Sequence, residues 1–186
     1  MDVQLTEGGW VLPARRCLSP FFNSRPTGAE ISLLVIHNIS LPPGQFGTGD
    51  VRRLFTGTLD CDACPEYADL RGLHVSAHLL IDREGALTQF VPFSLRAWHA
   101  GKSCFEGRPN CNDFSVGIEL EGTDTLAYTD AQYQALSAVA RALLRRYPRL
   151  SPERMVGHSD IAPGRKTDPG PAFDWQRFRA ELRETA

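Results

Sequence analysis

The stretch from 130 to 147 constrains this chain most, because its pattern fits an amphipathic helix and little else. Tyr133, Leu136, Ala140, Leu143, Leu144 and Tyr147 recur at helical spacing and make one apolar stripe. Thr129 with Gln132 forms a capping box at its start, Arg145 and Arg146 suit the negative end of the helix dipole, and Pro148 closes it. A stripe of this kind must be covered by another apolar layer. A partner stands just upstream. Over 115–121, Val116, Ile118 and Leu120 point one way, while Ser115, Gly117, Glu119 and Glu121 point the other.

The rest of the chain alternates in the same manner. Residues 19–28 read as an entry loop. The apolar run over 32–38, with β-branched Val35 and Ile36, reads as a buried strand stopped by Leu41-Pro42-Pro43-Gly44. A short helix is expected over 50–57, followed by a loop to about 73 whose length suggests function. Strands over 75–82 and 86–92 flank the turn Asp82-Arg83-Glu84-Gly85. Ser151-Pro152 opens a short helical turn, and a last helix runs from its N-cap Asp174 through Trp175, Phe178 and Leu182. Strands interspersed with helices predict an α/β fold, a mixed sheet flanked by helices. It is read as a single domain over 1–186 with its core at about 30–178.

Composition serves mainly to exclude. A net charge of −2 over 186 residues, with no extended basic tract, gives no reason to expect nucleic acid or an anionic membrane as partner. No stretch approaches the roughly 20 apolar residues that span a bilayer. Met1 to Trp10 lacks the apolar core of a signal peptide, so a cytoplasmic protein is expected. Cys17, Cys61, Cys64, Cys104 and Cys111 are odd in number and read as free thiols in a reducing compartment. Cys61-Asp62-Ala63-Cys64 is formally a C-x-x-C. Lacking a second pair and lying in a loop, it reads as two loop thiols.

Three candidate metal ligands lie far apart in the chain. His37 closes the run Leu33-Leu34-Val35-Ile36, His158 follows Gly157, and Asp168 sits in the rigid loop Lys166-Thr167-Asp168-Pro169-Gly170. Two imidazoles and a carboxylate suit zinc and leave a fourth position for water, the ligand count of a catalytic site. Scattered ligands carry no local signature, however, and a lone histidine at a strand end is commonly a packed core residue. Glu119 also has two readings: one of two carboxylates on a solvated sheet face, or a general base aimed into a cleft. Lys166 shares its loop with Asp168. His78 reads as a core or supporting residue and His74 as a loop residue. Trp98-His99-Ala100-Gly101 fits either a ligand-lined loop or an aromatic packing corner.

Taken together, six segments resemble the zinc-dependent N-acetylmuramoyl-L-alanine amidases. They are Val35-Ile36-His37-Asn38, Val75-Ser76-Ala77-His78, Ala97-Trp98-His99-Ala100-Gly101, the run Val116-Gly117-Ile118-Glu119-Leu120-Glu121-Gly122-Thr123-Asp124, Gly157-His158, and Arg165-Lys166-Thr167-Asp168-Pro169-Gly170-Pro171. That family shares its fold with phage amidase-type lysozymes and peptidoglycan recognition proteins. The resemblance runs from about Gly9-Trp10 to Phe173-Asp174-Trp175. Ile39-Ser40-Leu41-Pro42-Pro43-Gly44 and Asn112-Asp113-Phe114 mark a subgroup that acts on anhydro-muropeptides.

The resemblance implies one zinc ion on His37, His158 and Asp168, with Glu119 as catalytic base and Lys166 stabilising the transition state. It also implies that Asn38, Trp98 and His99 line the substrate groove. The implied reaction cleaves the amide between the lactyl group of 1,6-anhydro-N-acetylmuramic acid and L-alanine of the stem peptide. The implied setting is cytoplasmic peptidoglycan recycling, indirectly limiting β-lactamase induction, by a monomer with a small-molecule muropeptide substrate. Action on intact cell wall, or a non-catalytic peptidoglycan-binding module, stays open as an alternative. His74 and Asn110 stand where related enzymes can carry arginine, so Arg108 or Arg71 is expected to contact the peptide's carboxylates instead.

Overall fold

The computed structural model describes residues 2–183. Six strands share one mixed sheet: β1 (Arg15–Arg16), β2 (Leu33–Ile39), β3 (Leu79–Ile81), β4 (Leu87–Gln89), β5 (Ser115–Glu121) and β6 (Met155–Gly157). Their spatial order is β6-β2-β5-β3-β4-β1. β5 runs parallel to both β2 and β3, β6 parallel to β2, and only the β3–β4 hairpin in this sheet is antiparallel. The helices are α1 (Asp50–Thr56), α2 (Asp130–Arg146), α3 (His158–Ile161) and α4 (Trp175–Arg183). This is the mixed sheet flanked by helices that the patterning predicts.

The stripe of α2 does cover the sheet. Leu34 and Ile36 of β2 and Val116, Ile118 and Leu120 of β5 pack with Leu136, Val139 and Leu143 of α2 and Phe178 of α4. Truncating a side chain as buried as Leu136 to alanine would cost ~2–5 kcal/mol. On the other face, Leu33 and Val35 pack with Ala100, Phe114 and Ile161. Both faces of β5 are therefore covered, and all seven of its residues are buried. The solvated-face reading of Glu119 and Glu121 fails for that reason: a central strand with parallel neighbours on both sides lies between two layers.

Helix ends follow local chemistry closely. Thr129 and Gln132 make the reciprocal capping box, and Asp174 Oδ1 accepts the Arg177 N–H at 2.9 Å to cap α4. Gly57, in the left-handed region, closes α1. Three expectations change. The strand expected over 75–82 contracts to β3, because upstream of it the backbone turns to other partners: Ser76 N–H donates to the Trp98 carbonyl. The 58–73 loop contains a 3₁₀ turn over Pro65–Leu70, opened by Pro65 and pinned to α1 by the Tyr67 hydroxyl on Asp50 at 2.7 Å. Its two cysteines are free thiols. The entry loop is tied down where Phe22–Asn23 pairs antiparallel with Arg96–Ala97. Among the described residues, no helix is long and apolar enough to cross a membrane.

Candidate metal centre and catalytic cleft

Parallel register assembles the site. Across β5 and β2, Glu119 stands opposite His37; across β6 and β2, Gly157 stands opposite Ile36. His37 therefore has Glu119 on one side and His158, the first residue of α3, on the other. All three sit toward the carboxyl ends of parallel strands, where α/β sheets gather ligands. Asp168 arrives on a loop fastened to this edge. Ser159 N–H donates to the Asp168 carbonyl at 3.0 Å, and the Tyr128 hydroxyl donates to the Pro169 carbonyl at 2.7 Å. Gly170 has a φ of +76°, and a Cβ there would meet the Asp124 carbonyl oxygen at 2.5 Å, so the loop closes down only with glycine at this turn.

Three donor atoms converge. His37 Nδ1, His158 Nδ1 and Asp168 Oδ2 form a triangle with sides of 3.0, 3.0 and 3.1 Å. A tetrahedral ion with bonds of about 2.0–2.1 Å needs donor–donor edges of about 3.3 Å, so a small outward relaxation fits zinc. The tautomer of His158 also suits a ligand. Its Nε2 lies 3.1 Å from the Ala100 carbonyl, which can only accept, so Nε2 carries the proton and Nδ1 offers a lone pair. Burial pushes His37 down to about 4 against the opposing pull of Asp168, which leaves the ring neutral at pH 7. Burial would raise the Asp168 carboxyl, but the adjacent His158 and His37 rings outweigh it and hold the group below the usual carboxylate range. Two imidazoles and one carboxylate thus make a set that could hold a divalent metal ion.

Glu119 adds a different capability. It is only 8% exposed, and its Oε2 has no hydrogen-bond partner. Burial, with the Asp168 charge adding to it and Lys166 opposing, raises its carboxyl well above the ordinary range. An unpaired buried carboxyl is costly, and beside a metal-ligand set it has the character of a proton-transfer group. Lys166 lines the same cleft, whose volume is about 270 Å³ and whose apolar wall includes Leu54, Leu73 and Val75. A larger cavity of about 570 Å³ lies between Lys102 and Arg165 and contains none of these groups. Chemistry, not size, picks out the site.

Of the residues singled out in the sequence, His37, His158, Asp168, Glu119, Lys166, Asn38, Trp98 and His99 all border this one cleft. Their contacts refine what each can do. Asn38 Nδ2 donates to Asp124 Oδ1 at 2.8 Å and to the Pro169 carbonyl at 3.1 Å, so it fastens the loop that carries Asp168. Trp98 Nε1 donates to Asn23 Oδ1 at 2.9 Å, and its ring continues a stacked row through Phe21 to His74. His99 Nδ1 lies 2.9 Å from His37 Nε2, behind the ligand. Arg108 is not brought to the cleft: the 104–109 hairpin turns its guanidinium over the Phe114 ring, 3.9 Å from the centroid. Arg71 is exposed and ion-paired with Asp62 at 2.6 Å. His78 accepts Gly117 N–H on Nδ1 and donates Nε2–H to the Leu95 carbonyl, the supporting role read for it. Two contributors escape sequence reasoning. Arg25 donates to the carbonyls of Phe93, Asn112, Asp113 and Ser115, and Asn112 Oδ1 accepts the N–H groups of His99 and Ala100. An arginine in an entry loop has no local signature, and Asn112 stood out only as part of a motif.

A mixed α/β sheet that brings two imidazoles and two carboxyl groups into one cleft has the side-chain set of a metal-dependent hydrolase class. Residues 27–171 match the N-acetylmuramoyl-L-alanine amidases, and the chain belongs to that family. It is 61% identical over 176 residues to the 1,6-anhydro-N-acetylmuramyl-L-alanine amidase AmpD of Salmonella typhimurium, covering 95% of this chain and 94% of that protein. The crystal structure of a selenomethionine AmpD derivative superposes with a TM-score of 0.93 at 59% identity, covering 96% of this chain and 99% of that one. The Escherichia coli amidase AmiD, solved with the substrate anhydro-N-acetylmuramic acid-L-Ala-D-γ-Glu-L-Lys, matches with a TM-score of 0.60 at 31% identity, over 97% of this chain and 65% of that one.

Proposed function

We propose that this protein hydrolyses the amide between the lactyl group of 1,6-anhydro-N-acetylmuramic acid and L-alanine of the stem peptide, with one zinc ion held by His37, His158 and Asp168. The observation that carries the proposal is the 3.0–3.1 Å donor triangle with the unpartnered carboxyl of Glu119 in register beside it. High identity to a protein named for the anhydro substrate supports the choice of substrate. So does the solved complex of AmiD with an anhydro-muropeptide.

Zinc, when bound, supplies Lewis acidity that polarises a carbonyl and brings the pKa of water toward about 7. The chain's own residues do the rest. Glu119, with its pKa raised by burial, accepts a proton from the attacking water on Oε2 and returns it to the leaving amide nitrogen. Lys166 sets an ammonium beside the oxygen on which negative charge develops. Asn38 and Tyr128 hold the Asp168 loop, and Trp98 with Phe21 and His74 offers an aromatic ledge for the substrate. The setting we assign is peptidoglycan recycling in the cytoplasm by a monomer, since its substrate is a soluble wall fragment.

The test compares peptide release from soluble anhydro-muropeptide and from intact sacculi, with and without a chelator. Release from the soluble fragment, lost on chelation and restored by zinc, is the expected result. Equal action on sacculi would overturn the substrate assignment, and chelator-resistant hydrolysis would overturn the metal.

A further inference from the structure

We propose that the dipeptide His99-Ala100 positions both metal-ligating histidines, with His99 acting as the positioning residue for His37. The inference rests on reading the donor triangle as a zinc site. His99 Nδ1 lies 2.9 Å from His37 Nε2, and His99 Nε2 lies 3.0 Å from Ser115 Oγ. The carbonyl of the next residue, Ala100, takes the Nε2 proton of His158 at 3.1 Å. Two adjacent residues thus stand behind two ligands whose Nδ1 atoms are 3.0 Å apart.

The dipeptide is itself held. Asn112 Oδ1 accepts its two N–H groups at 3.1 and 2.8 Å, and Arg165 Nη2 donates to the Ala100 carbonyl at 2.7 Å. Gly117 of β5 leaves room for the His99 ring: a Cβ there would lie 2.7 Å from Cδ2 and closer still to Cγ and Nδ1. Both ring nitrogens of His99 are spent inside the protein, which leaves no polar side-chain atom for a substrate. His99 borders the cleft as the family resemblance implies, and its ring nitrogens serve the ligand behind it.

Hydrogen-bond direction explains why a histidine stands here. When His37 Nδ1 offers its lone pair to an ion, its proton is on Nε2 and is donated to His99 Nδ1. The proton of His99 is then on Nε2 and is donated to Ser115 Oγ. In the metal-free protein the chain reverses: Ser115 Oγ–H donates to His99 Nε2, His99 Nδ1–H to His37 Nε2, and His37 Nδ1–H to Asp168 Oδ2 at 3.0 Å. Each ring keeps one proton throughout, so loading the site needs a tautomer shift and no change of charge on His37 or His99. Without an acceptor at His99, the ligating tautomer of His37 would bury an unpaired N–H.

Zinc affinity, measured by competition with a chromophoric chelator on the full chain, tests this directly. His99→Leu should weaken zinc binding by roughly 10- to 100-fold, the usual effect of losing a partner behind a ligand. His99→Asn, which keeps an oxygen near the place of Nδ1, should stay close to wild type, with both variants melting alike when metal-free. Wild-type affinity in His99→Leu would overturn the proposal. Should that variant fail to fold, ¹⁵N spectra of the wild-type rings decide. The His99 proton on Nε2 in the zinc-loaded protein and on Nδ1 in the metal-free protein supports the relay, and a proton fixed on Nδ1 in both sinks it. Affinity that depends on His99 in a protein without amidase activity would refute the proposed function and leave this inference standing, whereas a wild-type chain that binds no zinc refutes both.

Discussion

Replacing Glu119 with glutamine should trade turnover for stability. The side chain is 8% exposed with an orphan oxygen, and its carboxyl is raised well above the ordinary range by burial and by Asp168. In the unfolded chain the same group titrates near ~4.3. Between the two values the folded state binds more protons than the unfolded state, so this group makes stability fall as pH rises through that window. The amide is nearly isosteric and carries no charge, although it still leaves a polar atom without a partner. Glutamine takes up no proton on folding and so escapes the cost of that uptake, about 1.4 kcal/mol for each pH unit over which the folded carboxyl is held protonated above its unfolded value. For a chain of 186 residues that is a rise in Tm of ~2–4 °C per kcal/mol. Loss of the base should lower kcat by ~10²–10⁴-fold. Thermal melts of chelator-treated protein at neutral pH, paired with hydrolysis of soluble anhydro-muropeptide at saturating zinc, read both effects. A glutamine variant that melts below wild type, or one that turns over at the wild-type rate, refutes the reasoning.

Other substitutions separate the remaining parts. Lys166→Met should lower kcat by ~10²–10³-fold with zinc content unchanged, as elemental analysis would show; lost zinc would mean that the lysine shapes the ligand loop instead. In the metal-free protein, burial pushes His37 down to about 4 and His78 down to about 3, whereas the unfolded rings titrate near ~6.5. The unfolded state therefore binds more protons across that window, and Tm should fall as pH is lowered from about 6.5 toward 4; a rise on acidification would contradict the burial of neutral rings. Thr129→Ala removes the oxygen that caps α2 and should cost ~1 kcal/mol, read as a shift in urea midpoint at constant m-value.

Local rules carried far in this chain and then stopped at identifiable places. The capping box at Thr129, the stripe of α2, the run of β2 and the cap at Asp174 are all written within a few residues of where they act. The 3₁₀ turn over Pro65–Leu70 has no distinct sequence signal, because Pro65 reads equally as a breaker and as a first-turn residue. The burial of both faces of β5 is not legible in its alternation, which reports only which face is apolar and not what covers the other. Arg108 looked suitable by proximity to a motif, yet the direction of a hairpin decides where its guanidinium goes. The contacts of His99, Asn38 and Asn112 were out of reach for one reason. Each pairs with a group set by backbone placement, and a side chain's partner 62 or 86 residues away leaves no mark in its neighbourhood.

From the sequence by itself came the element types, the fold class and the donor atoms on offer, because helical and strand periodicity, caps and side-chain chemistry are short-range properties. Tertiary structure alone decided that His37, His158 and Asp168 lie about 3 Å apart with Glu119 beside them, and that a ring nitrogen of His99 meets His37. The physical reason is strand register. Two parallel pairings set Glu119 opposite His37 and Gly157 opposite Ile36, and hydrogen bonds from Asn38 and Tyr128 then draw in the loop that carries the third ligand.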